Sequence, residues 1–227
     1  MKTFSANSII KMLLVITAVV VTGCSMTKKH EQAAQEKADK AGLTPVSESR
    51  FDGTFIAPGS NFAQYKKLLV ERLDLDNVEI IQPPQTGMSS APWSLTEQDK
   101  RFYQERYTEA FINHLIADGA YATALDPAVD VLTIKARVLQ IAPLTAKDDV
   151  KSRQNIMKVY TEGSGSMTLE VSLYDSTSGK LLGIITDKRD LGRLWEENNR
   201  VTNNQQVRLA FNAWLHKLRV ELENISK

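Results

Sequence analysis

The stretch that decides the fold is 166-SMTLEVSLYDSTSGKLLGIIT-186, which has the pattern of a β-hairpin. Apolar side chains occupy every second position from Met167 to Leu173, the period of a strand that buries one face. The segment 175-DSTSGK-180 follows, and Gly179 suits a turn position that needs a positive φ. Residues 181–186 are apolar again. The stretch therefore predicts two antiparallel strands joined by a short turn.

A further strand lies upstream, in 129-VDVLTIKARVLQI-141. Its apolar residues alternate with Thr133, Lys135 and Arg137, so one face is predicted to lie in the core and the other in water. Residues 65–82 contain weaker β-rich pieces, which predict either one bent strand or two short strands.

Two helices are predicted on either side of these strands. Ser94-Leu95-Thr96-Glu97 fits a capping box, and the periodicity that follows predicts a helix over residues 95–117. Apolar residues from Val207 to Ile225 recur at a spacing of roughly 3.6 residues, which predicts a second long helix centred on Trp214. We therefore expect an α+β fold of two layers, in which two long amphipathic helices cover one face of a mainly antiparallel sheet.

The residues predicted to be buried all lie on the apolar face of one of these helices or strands. They are Phe111, Leu115, Leu132, Ile134, Val138, Leu169, Val171, Leu173, Phe211, Trp214 and Leu218. Truncation of a large buried side chain to alanine is expected to cost about 2–5 kcal/mol.

Composition narrows the class of protein. Of the 227 residues, 42% are hydrophobic and 24% are charged, which is typical of a globular protein and not of a disordered chain. The net charge of +1 argues against a nucleic-acid partner, because there is no excess of basic residues to displace counterions. A single cysteine, Cys24, allows no disulfide within the chain.

The N-terminus has the pattern of a bacterial lipoprotein signal. Lys2 and Lys11 precede the apolar run 12-MLLVITAVVV-21, which is too short to span a membrane. The next residues complete 21-VTGC-24, which resembles the lipobox, the motif whose cysteine is diacylated before the preceding residues are removed. We expect residues 1–23 to be a signal peptide and Cys24 to be the lipidation site. The alternative is an unmodified cysteine at the end of a membrane anchor or at a conventional cleavage site.

Residues 24–50 are predicted to be the acylated cysteine and a flexible tether. Apolar content is low here, and a transient helix is expected between Lys29 and Ala41, ended by Gly42 and Pro45. A single α+β domain is predicted over residues 51–227. The residue after the cysteine is Ser25, not Asp, and similarity to known bacterial sorting then implies the outer membrane.

The ordered set of elements resembles a known family. The strand VLTIKARVLQI, the hairpin MTLEVSLYDSTSGKLLG and the final tryptophan-centred helix, behind a lipobox, resemble uncharacterised Gram-negative lipoproteins with domain of unknown function 3313. The resemblance covers about residues 50–225. This family carries no established activity, so the resemblance implies no catalytic residue.

Motifs for catalysis or for metal binding are scarce in the sequence. It has no G-x-S-x-G element and no glycine-rich phosphate loop. His30, His114 and His216 are scattered, and none has a second histidine or a cysteine within four residues. We therefore predict a non-enzymatic protein with no catalytic residue, no metal site and no cofactor.

The strongest candidate for ligand binding is the polar segment around Trp195. Glu196 and Asn198 follow it, and an exposed tryptophan beside carboxylate and amide groups suits a sugar or a protein contact. Trp93 lies in another polar loop. For both tryptophans the alternative is that the ring folds down onto the edge of the core.

These patterns predict a lipid-anchored outer-membrane lipoprotein that faces the periplasm and acts as a non-enzymatic interaction or accessory protein. Its expected partners are the membrane, through the N-terminal acyl chains, and an envelope protein, but not nucleic acid. The alternative is a module that binds a glycan or another envelope ligand through the Trp195 loop and the wet face of the sheet. A hydrolase of unfamiliar type is a third possibility.

Overall fold

The computed structural model describes residues 25–83, 92–117, 119–147 and 158–227. Within these ranges lie three α-helices: α1 (Ser25–Lys40), α2 (Glu97–Phe111) and α3 (Arg200–Ile225). A π-helical turn, Ile112–Ile116, continues α2, and a short 3-10 helix spans Phe62–Gln64. The signal peptide and Cys24 lie outside the described residues.

The strands form one large sheet and one small ribbon. They are β1 (Thr44–Pro45), β2 (Gly53–Ile56), β3 (Lys67–Val70), β4 (Glu79–Ile80), β5 (Ala122–Thr123), β6 (Val131–Pro143), β7 (Tyr160–Glu162), β8 (Gly165–Asp175), β9 (Leu181–Asp190) and β10 (Trp195–Glu197). The large sheet has the order β1-β2-β9-β8-β6-β3-β5, with β4 also beside β6, and β7 pairs with β10.

The sheet is mainly antiparallel, as predicted. Strands β2, β9, β8 and β6 pair antiparallel, whereas β3 and β4 run parallel to β6. The predicted hairpin is β8–β9, closed by a hydrogen bond from Asp175 N to Lys180 O of 2.9 Å. Residues 65–82 form two short strands, β3 and β4, so the second of the two readings of that segment is correct.

The main core lies between the sheet and the helices α2 and α3. Alternate residues of β6 and β8 join the apolar faces of both helices in one hydrophobic cluster. Every residue predicted to be buried is at most 4% exposed, so the predicted core is confirmed. Phe211 and Trp214 pack ring against ring at its centre, 5.8 Å apart.

Both long helices begin at different residues from those predicted. The capping box of α2 is formed by Thr96 and Asp99, because Thr96 N donates to Asp99 Oδ2 at 2.8 Å and Asp99 N donates to Thr96 Oγ1 at 3.2 Å. Burial alone would raise the pKa of Asp99, but hydrogen bonds from Lys147 and Thr96 outweigh it, and the pKa is lowered. Helix α3 starts before Val207, capped by Asn199.

The N-terminal segment differs most from the prediction. A flexible tether was expected over residues 24–50, but from Ser25 to Lys40 the chain forms α1, with Ala34 and Ala38 only 1% and 0% exposed. Both alanines pack with Leu43, Phe55 and Ile184 in a second apolar cluster. Their small side chains let α1 approach the sheet closely, so this segment is part of the folded body.

Helix α1 covers the face of the sheet that was predicted to be wet. Lys37 Nζ lies 2.8 Å from Glu170 Oε1, and the Glu170 side chain is only 4% exposed. Along β8, Glu170 alternates with Leu169 and Val171, which belong to the main core. Because alternate residues of a strand point to opposite faces, α1 lies across the sheet from that core. The structure therefore has three layers and not the two that were predicted, and α1 is the additional layer.

Candidate functional site

Strands β7 and β10 form a two-stranded ribbon beyond the end of the large sheet. In its register Trp195 lies opposite Glu162, and Glu197 lies opposite Tyr160. Residues that face each other across an antiparallel ladder share one side, and positions two apart share it too. These four side chains therefore occupy one side, which we call the outer face of the ribbon.

Two glycines, Gly163 and Gly192, lie in close contact at the base of the ribbon. Gly163 has a φ of 75°, and a Cβ atom there would lie 2.4 Å from Gly192 O. Gly163 N donates to Leu194 O at 3.0 Å, which ties the end of β7 to the residue before β10. A side chain at Gly163 would push the two segments apart. The absence of a side chain at Gly163 thus permits the close approach of these segments at the base of the ribbon.

The outer face presents aromatic rings to the surroundings. Trp195 is 73% exposed and Tyr160 is 47% exposed, and the neighbouring Leu194 is 76% exposed. Lys158 Nζ donates to Glu197 Oε2 at 3.2 Å, and this hydrogen bond raises the pKa of Lys158. The face therefore combines exposed rings with a carboxylate whose charge is matched by a neighbouring lysine.

The three residues predicted to bind a ligand do not converge. Glu196 points to the opposite side of the ribbon, where Gln206 Nε2 donates to its Oε1 at 2.7 Å. Asn198 is 2% exposed, and its Nδ2 donates to Thr161 Oγ1 at 2.8 Å while its Oδ1 accepts from Asn203 Nδ2 at 3.1 Å. Glu196 and Asn198 bind the ribbon to the start of α3, and Trp195 alone of the three reaches the outer face.

Two alternatives were open for Trp93 and Trp195, an exposed ring or a ring folded onto the edge of the core, and the two residues differ in this respect. Trp93 is partly buried against the main core, and its backbone N donates to Gln82 Oε1 at 2.7 Å. Lys147 Nζ lies 4.9 Å from the centre of the Trp93 ring. Trp93 therefore folds onto the edge of the core, whereas Trp195 stays exposed.

A polar cleft of about 770 Å³ lies between the end of β9 and helix α3. At its base Asp187 is 4% exposed and accepts hydrogen bonds from Trp214 Nε1 at 2.8 Å, from Lys217 Nζ at 2.8 Å and from Asp52 N at 3.2 Å. These donors satisfy the buried carboxylate, which gives Asp187 a structural role. Nothing in the local sequence distinguishes the buried Asp187 from the charged residues that follow it.

The structure brings together two histidines that are far apart in the sequence. The rings of His114 and His216 lie 5.8 Å apart at 84°, and His114 Nε2 is 3.0 Å from Asn212 Oδ1. This contact follows from the packing of α2 against α3, which spacing along the chain does not reveal. Within the described ranges, no group of three His, Cys, Asp or Glu side chains is placed to hold a metal ion.

Comparison with known families places the chain. Residues 33–218 match the family described as protein of unknown function (DUF3313). The chain belongs to this family. The matched region begins inside α1, not near residue 51, so the family domain includes the second half of the docked helix.

Distant similarity to solved structures was also found. A PelC dodecamer from Paraburkholderia phytofirmans is 13% identical with a TM-score of 0.38, covering 73% of this chain and 95% of that one. A minor lipoprotein from Acinetobacter baumannii is 14% identical with a TM-score of 0.33, covering 70% and 94%. No curated protein matches the sequence. None of the helices in the described residues is long and apolar enough to cross a membrane.

Proposed function

We propose that this DUF3313 protein is a lipoprotein of the cell envelope, acylated at Cys24, that works as a non-enzymatic accessory protein. The observation that carries the proposal is the docking of α1, because its buried residues Ala34 and Ala38 follow the predicted lipidation site by only 10 and 14 residues. A body fixed to a helix so near the anchor in the sequence is held close to the membrane. The residue after Cys24 favours the outer membrane, with the body on the periplasmic side.

The contacts of α1 are spread along its length. Lys29 Nζ lies 2.9 Å from Glu79 Oε1 near the start of the helix, and Lys37 reaches Glu170 two turns later. The exposed Lys29–Glu79 pair contributes only about 0–1 kcal/mol, and the apolar contacts of Ala34 and Ala38 add to the attachment. Together these contacts support a fixed attachment.

Exposed aliphatic side chains at the other end of the sheet support a contact with an envelope protein partner. Leu125 and Val129, in the loop between β5 and β6, are 87% and 78% exposed. A hydrogen bond from Ser176 N to Val131 O, 3.3 Å, joins the start of β6 to the β8–β9 turn. This end of the sheet is remote from the start of α1, and its two aliphatic side chains support a protein contact there.

The alternative function, binding of a glycan, keeps one observation in its favour. Trp195 is exposed and lies opposite Glu162 on the outer face, an arrangement that suits stacking and hydrogen bonding to a sugar. Its other supports are absent from the described surface, because α1 covers the polar face of the sheet and Asn198 is buried. We therefore favour the accessory role.

Metabolic palmitate labelling tests the anchor. The wild-type chain is expected to incorporate the label and to lose residues 1–23, whereas Cys24→Ala is expected to stay unlabelled and unprocessed. Ser25→Ala is the matched control, since it leaves the cysteine in place. Persistent labelling of Cys24→Ala would show that the acylation site lies elsewhere.

Crosslinking in cells tests the partner. A photo-reactive amino acid at Leu125 is expected to give a discrete protein adduct, because this side chain is 87% exposed. The control position is Glu105, which is exposed on α2. If Leu125 gave no adduct beyond those formed from Glu105, the loop would not be the contact surface.

A further inference from the structure

We infer that the end of the molecule formed by the ribbon faces the lipid bilayer, with Tyr160, Leu194 and Trp195 in the headgroup layer. The occupant of this surface is thus the phospholipid surface in which the acyl chains of Cys24 are embedded. The inference rests on the proposed function, because it requires the anchor at Cys24. It adds a second, aromatic contact to that anchor.

The start of α1 lies beside strand β4. Lys29 and His30 both lie beside Glu79, at 2.9 Å and 3.3 Å. Glu79 of β4 pairs with Gln140 of β6, and Gln140 pairs with Thr168 of β8. The start of α1 therefore lies at the end of the sheet where β6 ends and β8 begins.

The direction of α1 follows from its later contacts. Lys37 Nζ reaches Glu170 at 2.8 Å and Ser172 Oγ at 3.3 Å, which lie further along β8. The helix thus runs along the sheet away from the end at which it starts. A small cavity lined by His30, Thr168 and Lys188 shows the same alignment, since Lys188 is close to the end of β9.

The described start of α1 and the start of β8 lie at a similar level along the sheet. From Lys29 back to Ser25, the first described residue, the helix rises by about 6 Å. From Thr168 back to Gly165 the strand extends by about 10 Å. The predicted lipidation site, Cys24, directly precedes Ser25 in the sequence. The ribbon joins the sheet at this level, because β7 ends at Glu162, three residues before β8 begins, and β10 begins five residues after β9 ends.

The surface at this level is rich in exposed apolar side chains. Five large apolar side chains at this end are 46–76% exposed, namely Leu144, Tyr160, Leu194, Trp195 and Val201. Tryptophan and tyrosine favour the membrane interface, where an apolar ring meets a wet polar layer. The exposed apolar residues at the far end, Leu125 and Val129, include no aromatic ring.

The charges at this end do not oppose a lipid surface. Arg193 Nη2 lies 3.5 Å from Asp190 Oδ2, and Lys158 is hydrogen-bonded to Glu197. Asp190 and Glu197 are thus matched by basic groups, which limits their repulsion from anionic headgroups, and Glu162 is the exposed carboxylate opposite Trp195. Aromatic and aliphatic contact, and not net charge, would hold the ribbon at the bilayer.

Tryptophan quenching by brominated lipid tests this orientation. The mature acylated protein is placed in vesicles of phosphatidylethanolamine and phosphatidylglycerol, with part of the lipid brominated on its acyl chains. We expect quenching and a blue shift of tryptophan emission, both lost in Trp195→Phe. The matched control is Trp93→Phe, which is expected to keep both effects because Trp93 lies at the core edge. Circular dichroism melting checks that each variant folds.

Flotation separates the two proposals. If the acylated protein failed to float with the vesicles, the anchor at Cys24 would be wrong, and this inference with it. If it floated but Trp195 stayed unquenched by bromine and open to aqueous acrylamide, the anchor would stand and this inference would be overturned. The outer face would then be free for a glycan or a protein partner, and crosslinking at Leu194 would identify it.

Discussion

Trp195 and Trp214 show how one residue type takes opposite roles in this chain. Trp195 is 73% exposed on the ribbon, whereas Trp214 is 1% exposed and donates from Nε1 to Asp187 Oδ2. The periodicity of α3 was enough to predict burial of Trp214. The face of Trp195 depends on how β10 pairs with β7, a long-range register that local sequence does not fix.

Trp214→Phe is expected to lower the free energy of unfolding by about 1.5–3 kcal/mol. The substitution keeps a ring in the core but removes the donor to Asp187, a charged acceptor that is only 4% exposed. Trp195→Phe is the control and is expected to stay within about 0.5 kcal/mol of wild type. Urea denaturation measures both, and equal losses in the two variants would contradict the assigned roles.

His30 is expected to make stability depend on pH. Burial lowers the pKa of His30 below its ordinary 6.5, and this effect exceeds the opposing attraction of Glu79. The folded protein therefore favours the neutral imidazole. The contribution of neutral His30 to the free energy of unfolding is full above pH 6.5 and is lost as the pH falls through that value toward the lowered pKa. The free energy of unfolding, measured by urea denaturation at several pH values in this window, should depend on pH with different slopes in wild type and His30→Gln. Identical slopes would contradict the prediction.

At the scale of elements, apolar periodicity predicts the helices and strands that pack through large apolar side chains. It misses a helix that packs through alanines and ion pairs. The strands β6 and β8 and the helices α2 and α3 follow clear apolar periods, and each was predicted, although α3 begins at Arg200, seven residues before the predicted Val207. Among residues 29–40, helix α1 buries only alanines and sets lysines against Glu79 and Glu170, so its sequence resembles that of a solvated linker. Its docking depends on groups of the sheet that lie far along the chain.

Ala38→Glu is expected to detach α1 from the sheet. Ala38 is 0% exposed, so a longer charged side chain has no room and no partner there. Amide hydrogen exchange of residues 29–40 should become much faster while β8 and β9 stay protected. Glu36→Gln, at an exposed position of the same helix, is the control. Unchanged protection of α1 in Ala38→Glu would show that the helix is not held by this contact.

For the whole molecule, α3 closes the main core. Phe211, Trp214 and Leu218 are each at most 1% exposed in the same cluster as the alternate residues of β8. Removal of residues 207–227 is expected to expose a large apolar surface and to give degraded or aggregated protein. Size-exclusion chromatography measures this. A folded monomer that retains its strand signal would mean that α3 is a detachable partner-binding element.

The class of the fold and its family could be predicted from the sequence, whereas the third layer and the geometry of the site could not. Alternation along β8 and the stripe of α3 report burial directly. The convergence of Trp195, Tyr160 and Glu162, and the position of the ribbon relative to α1, arise from contacts between distant segments. The sequence singled out Trp195, but the side chains beside its ring are Tyr160 and Glu162 and not the predicted Glu196 and Asn198, and ligand binding there stays a prediction.

The central claim is that α1 is fixed to the sheet, and a distance measurement tests it most directly. A chain that starts at Ser25 contains no native cysteine, so spin labels can be placed at Glu36→Cys on α1 and Glu105→Cys on α2. Both positions are exposed. We predict a single narrow distance distribution by double electron–electron resonance, which broadens when Ala38→Glu is added. A broad distribution in the parent chain would show a tether and would contradict the account.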